Sequence, residues 1–108
     1  MATNDAETKR VTSQSSTMIE LPKSSGKEMV LKKAEVVNTT GSSGAVQIGF
    51  GAEGETVEGN VDFLYAVNVP AGAAYDYGEI FVKTTEALFL KAPAAGYTLF
   101  AQGFERTP

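Results

Sequence analysis

A chain of 108 residues has the length of one domain, and 43% hydrophobic residues are enough to bury a core. Thirteen acidic residues against nine basic ones give a net charge of −4, which argues against nucleic acid as a partner, since its phosphates need a basic footprint. Cys, His and Trp are all missing, so there is no disulfide, no thiolate or imidazole metal ligand, and no histidine to act as general base near neutral pH.

Residues 1–16 are polar, and Asp5 and Glu7 cancel Lys9 and Arg10. Such a segment buries too little apolar surface to offset its ordering entropy. It reads as an extended N-terminal arm (1–16) ahead of a folded domain (17–108). Contact with another chain is the expected way of holding it still, and folding back on its own domain is the alternative. The partner-binding residues expected along it are Thr3, Asn4, Lys9, Arg10, Val11, Thr12, Ser13 and Gln14. The arm carries no apolar run like a signal-peptide core, and no stretch approaches the ~18 residues of a membrane span. The expectation is a soluble protein made in a cytoplasm, with no membrane partner.

STMIEL (16–21) predicts a brief strand stopped by Pro22, and PKSSGK (22–27) a turn. EMVLKKAEVVN (28–38) predicts a longer strand. Met29 and Leu31 share one face, Ala34 and Val36 continue out of phase by one, and the slip at Lys32 and Lys33 implies a β-bulge. After the turn TTGSSG (39–44), AVQIGF (45–50) alternates cleanly, with Val46, Ile48 and Phe50 on one side. NVDFLYAVNVP (60–70) puts Val61, Phe63, Tyr65, Val67 and Val69 on one face; its β-branched content and Pro70 favour strand over a buried helical turn. PAGAAYD (70–76) reads as a turn. YGEIFVK (77–83) sets Ile80 and Val82 against Phe81, and ALFLKA (87–92) pairs Leu88 with Leu90. Beyond the loop PAAG (93–96), YTLFAQGFE (97–105) sets Phe100 and Phe104 opposite Tyr97 and Leu99. Short strands at intervals of roughly 8–12 residues, with no helical stripe, predict an all-β sandwich or small barrel.

Gly49, Gly51 and Gly54 have the G-x-G-x-x-G spacing of a dinucleotide loop. That loop works only where a strand leads into a helix whose free N–H groups face the phosphates. Here Gly59 and a strand pattern follow instead, and Glu53, Glu55, Glu58 and Asp62 would repel a pyrophosphate. A hard cation such as Ca²⁺ suits the carboxylates better, but the spacing matches no EF-hand, and acidic hairpin loops are common. The preferred reading is a turn or bulge, with these glycines and Gly59 at positive φ and the glutamates solvated. No cofactor or metal is expected. Nucleophilic hydrolysis lacks its base, and a carboxylate pair such as Glu79 and Glu86 would need a cleft that a sandwich of this size seldom leaves. The chain is therefore not expected to be an enzyme.

Tyr65, Tyr75, Tyr77, Tyr97, Phe100 and Phe104 are the aromatics that suit a stacking platform, an oligomer interface or the core. Asn38-Thr39-Thr40 fits a glycosylation acceptor, which we read as accidental in a protein without a signal peptide. Lys32 and Lys33, with Lys27 nearby, read first as guards on an edge strand and second as contacts to an acidic partner. Lys32, Lys33, Tyr75 and Tyr77 are the candidates for an oligomer or coat contact.

LPKSSGK, VVNTTGSSGAVQI, NVPAGAAYDYG, ALFLKAPAAGYTL and AQGFE, spread over residues 17–105, together resemble small bacteriophage virion proteins, particularly head decoration (cement) proteins. The resemblance lies in turn chemistry, not in catalytic residues. It implies an antiparallel β-sandwich, jelly-roll-like, of about seven or eight short strands with an extended N-terminal arm. The role it implies is to bind the outer surface of the head, clamp neighbouring major capsid proteins and stabilise the shell. The partners would be the major capsid protein and further copies of the chain, as a homodimer or homotrimer, on a virion assembled in the host cytoplasm. The alternative is a phage tail or receptor-binding module that recognises host-surface glycan.

Overall fold

The computed structural model describes residues 7–108. Ten strands follow in order: β1 (Glu7–Thr12), β2 (Ile19–Glu20), β3 (Glu28–Asn38), β4 (Gly44–Ala52), β5 (Asp62–Phe63), β6 (Val67–Val69), β7 (Ala74–Asp76), β8 (Ile80–Val82), β9 (Glu86–Lys91) and β10 (Tyr97–Arg106). A 3₁₀ turn covers Glu58–Asn60, and no α-helix occurs among the described residues. The strands form two antiparallel sheets, β1-β10-β3-β7 with β8 also on β3, and β2-β9-β4-β5 with β6 also on β4. The chain is an all-β sandwich.

β5 and β6 are two pieces of one interrupted strand along β4, and β7 and β8 two pieces of one along β3. Counted this way, the strands nest from the outside in: β1 with β10, β2 with β9, β3 with β7 and β8, β4 with β5 and β6. One long hairpin rolled over itself gives this order, which is jelly-roll connectivity.

The expected alternation builds the core. Met29, Leu31, Ala34 and Val36 of β3, Val46 and Ile48 of β4, Leu88 and Leu90 of β9, and Leu99 and Ala101 of β10 are fully enclosed between the sheets. The predicted bulge is present. Gln102 pairs with Lys33 and Gly103 with Leu31, so Lys32 is the extra residue and the core face survives the slip. A second cluster lies on the far side of the β2-β9-β4-β5 sheet, where Val61, Ala87 and Phe89 pack with Met18 and Phe63.

Five expectations need correcting. The strand at 16–21 shrinks to Ile19–Glu20. The strand at 60–70 is broken after Phe63, and the turn at 70–76 contains β7. β3 lies between β10 and β7/β8, so Lys32 and Lys33 guard no sheet edge. Finally, residues 7–12 do not extend away from the domain. They are its first strand, laid along β10 from Glu7↔Gly103 to Thr12↔Thr98.

Candidate interaction surface

β1 brings the arm residues into the sheet. The Ser13 N–H donates to the Tyr97 carbonyl at 2.8 Å. Antiparallel pairs alternate between hydrogen-bonded and non-bonded, so Val11, Lys9 and Glu7 also face β10 with their main chain. The N–H and C=O groups of Thr8, Arg10 and Thr12 then point to the open edge. Val11 packs against the core. The Lys9 ammonium lies 3.0 Å from Glu105. Ser13 is buried: its Oγ donates to the Ala94 carbonyl at 2.6 Å and accepts from the Tyr97 N–H at 3.1 Å. Enclosure by its own domain withdraws Ser13 from contact with a partner. Gln14 is exposed in the bend that follows. Thr3 and Asn4 lie outside the described residues.

The outward side chains of this sheet form cross-strand rows. One row runs Arg10, Phe100, Glu35, Asp76 from β1 to β7. The next holds Thr8, Gln102 and Lys33; beyond it come Phe104, Val30 and Phe81, then Arg106 with Glu28. Val30, Phe100 and Phe104 are only partly buried and belong to neither core cluster, and Phe81 is 47% exposed. The Arg10 guanidinium lies 5.9 Å from the Phe100 ring centre, and that of Arg106 lies 6.0 Å from Phe81. Arg106 also pairs with Glu28, and Lys33 with Glu35 at 3.7 Å. Two shallow depressions of about 200 and 280 Å³ open on this face, one lined by Lys33, Glu35, Phe100 and Gln102, the other including Val30, Lys32 and Phe81. The opposite sheet differs, because its outward Phe89 is covered by Val61, Phe63 and Met18.

Tyr75 and Tyr77 lie elsewhere, on the side of the sandwich where the β5/β6 and β7/β8 edges approach. Tyr77 meets Tyr75 edge-on at 5.0 Å and Tyr65 at 6.0 Å, and the Tyr65 and Tyr75 hydroxyls are 3.0 Å apart. Tyr65 is 65% exposed. Burial, then the neighbouring Tyr65 and Tyr75, push the Tyr77 phenol up to about 12. Its hydrogen bond with Tyr65 raises Tyr75 as well. Among the described residues, then, the structure joins Lys33 to Arg10 on one face, sets Lys32 in the bulge beside it, and places the tyrosines apart.

The glycine loop has two physical explanations in place of one. A Cβ on Gly49 would sit 2.7 Å from the Phe63 ring, and one on Gly51 2.9 Å from Val61 and 3.0 Å from Phe89. Both lie in β4 and leave room for the second cluster; of the four glycines read as positive-φ positions, only Gly54 (φ 79°) is one. The carboxylates around it do not converge. Glu53 pairs with Lys23 at 2.9 Å and Glu58 with Lys91 at 2.8 Å. Glu55 accepts the Val57 and Thr56 N–H groups and the Asn60 amide; the bonds from Val57 and Asn60 keep it below the ordinary carboxylate range. Asn38 is fully buried, donating to the Ser42 and Val69 carbonyls and accepting from Thr40, which makes it the organiser of its turn.

No protein-family model matches the sequence, and the search of curated proteins finds no significant match.

Proposed function

We propose that the protein is a bacteriophage head decoration protein without enzymatic activity, seated on the outer capsid surface and clamping neighbouring major capsid proteins. Its coat contact is the open edge of β1, and it works as a homo-oligomer. The observation that carries this reading is the position of β1: a six-residue edge strand with one edge on β10 and the main chain of Thr8, Arg10 and Thr12 facing outward. An extended coat segment added to that edge gains main-chain hydrogen bonds whatever its side chains, and copies repeated over a shell turn weak contacts into firm retention.

The test uses heads that lack the protein. Thr8→Pro removes an N–H on the open edge and leaves the β10 side intact, a placement that edge strands tolerate. The variant is expected to melt like the parent and to lose binding to heads at least tenfold. Unchanged binding rules out the β1 edge as the contact, and failure of the parent chain to bind any head removes the capsid reading itself.

The exposed Tyr65, beside Tyr75 and Tyr77, supports the second reading, a glycan-recognising tail module, because aromatic faces stack on sugar rings. Glycan-array binding abolished by Tyr65→Ala, with labelled protein at the tail in virion images, would favour it over decoration.

A further inference from the structure

The two outer sheet faces are not treated alike. The β2-β9-β4-β5 sheet covers its outward Phe89 with its own chain. The β1-β10-β3-β7 sheet leaves Val30, Phe81, Phe100 and Phe104 on its outside. A sheet face with three phenylalanines pointing outward is unusual for a surface that meets only water.

The charges on this face are distributed about the seam between β10 and β3. On the β1/β10 side the outward ionisable side chains are Arg10 and Arg106. On the β3/β7/β8 side they are Glu28, Glu35 and Asp76, with Glu79 beside Lys32 and Phe81 just ahead of β8, Lys33 held by Glu35, and Lys32 in the bulge. Within a row the signs are opposed across the seam: Arg10 is followed through Phe100 and Glu35 by Asp76, and Arg106 is followed by Glu28.

We infer that this face binds a second copy of itself, through a two-fold axis that runs along the strands in the β10/β3 seam. That operation lays β10 of one copy over β3 of the other and β1 over β7. Arg10 of each copy then meets Asp76 of its partner, Phe104 meets Val30, and the Arg106–Glu28 pair gains a second set of neighbours. Stacked sheets cross at about 30°, but the Arg10 row lies next to the centre of the face, where the offset is only a few ångströms and within reach of an arginine. Four strands ~4.8 Å apart and outward rows ~7 Å apart make a face of roughly 500 Å². Two such faces reach the lower bound of about 1,000 Å² for a specific interface, so the dimer is weak and concentration-dependent. The inference specifies the self-association included in the proposed function, and it does not depend on a capsid.

The test is charge reversal read by sedimentation of the purified chain alone. The parent is expected to show a monomer–dimer equilibrium. Arg10→Asp and Asp76→Arg are each expected to weaken the dimer at least tenfold, because each sets like charges against each other twice. A 1:1 mixture of the two variants restores it, since both cross-copy pairs become opposite again; this also shows that both variants are folded. Asp76 accepts the Gly78 N–H at 2.7 Å, so its replacement disturbs a turn. If Asp76→Arg does not fold, Phe104→Lys is the second variant, expected to be monomeric with unchanged circular dichroism. A parent that is monomeric at millimolar concentration, a dimer indifferent to Arg10→Asp and Phe104→Lys, or folded variants that fail to associate when mixed would each overturn the inference. Failure to bind heads with the dimer intact would count against the capsid reading only.

Discussion

Lys23 lies in the polar turn PKSSGK, yet its side chain is completely buried. The ammonium donates to the Lys27 carbonyl at 2.7 Å, the Thr84 carbonyl at 3.1 Å and the Glu53 carboxylate at 2.9 Å. Three separate loops at one end of the sandwich are thereby tied to one atom. Removing one partner of a buried pair costs more than the pair contributes, because acceptors are left without a donor. Lys23→Met, which keeps the aliphatic stem, is expected to cost about 3 kcal/mol, or ~15 °C in melting temperature. Glu53→Gln keeps an acceptor for the ammonium and is expected to cost much less. Thermal melts of the two variants test the order. Gly103 is a second sensitive position. A Cβ there would lie 2.0 Å from the Val30 carbonyl oxygen, a backbone atom fixed by the bulge, whereas a Cβ on Gly51 meets only side chains. Gly103→Ala is expected to destabilise by about 3 kcal/mol and Gly51→Ala by about 1 kcal/mol, measured by urea unfolding.

At the scale of the element, what could be read from the sequence depended on how much of each strand faces the core. β3, β4 and β10 alternate because one side of each faces the core, β9 is a continuous apolar run because both its sides are buried, and the bulge at Lys32 shows as a phase slip in the alternation of β3. β1 gave no such signal. ETKRVT turns mostly exposed side chains outward, and its place is set by the β10 edge rather than by its own composition. β7 was hidden in a turn for a similar reason, since only Tyr75 of its three residues faces inward. Alternation alone sets Phe100, Phe104 and Phe81 opposite the core-facing residues of their strands, but nothing local tells which sheet will be left uncovered. One contact holds β1 from the side. Glu105 of β10 accepts from Lys9 of β1 at 3.0 Å and from the Ser24 N–H at 2.9 Å. Partial burial pushes its carboxyl up, but the hydrogen bonds from Ser24 and Lys9 outweigh burial and hold it at about 2, below an ordinary value of 4.5. A depressed folded-state pKa contributes stability above the unfolded value and loses it as the pH falls toward the folded one. The link is therefore intact at neutral pH and lost progressively below about pH 4.5, toward about 2. Glu105→Gln is expected to flatten the fall in melting temperature across that acid window. An equally steep fall in the variant would show that other carboxylates govern acid unfolding.

At the scale of the whole molecule, the rolled hairpin places its most distant partners side by side. Thr12 pairs with Thr98 and Glu7 with Gly103, so the first strand docks only on a strand from the far end of the sequence. Pairing of this kind closes long loops before contacts repay the entropy, and such topologies fold in milliseconds to seconds. It also means that residues 7–12 cannot be treated as a detachable tether. Deleting residues 2–12 would turn the ten-residue β10 into the sheet edge. Its main-chain groups opposite Glu7, Lys9 and Val11 would lose their partners, Val11 would leave the core, and Glu105 would lose Lys9. A long unpaired edge is a template for association. The truncated chain is expected to melt well below the parent and to scatter light at concentrations where the parent stays clear. A synthetic peptide of residues 7–12 added in trans is expected to bind the vacated edge and reverse both changes, because it restores the same ladder together with the Lys9–Glu105 pair. A truncated chain that stays clear, melts with the parent and ignores the peptide would show that the first strand contributes nothing to the fold.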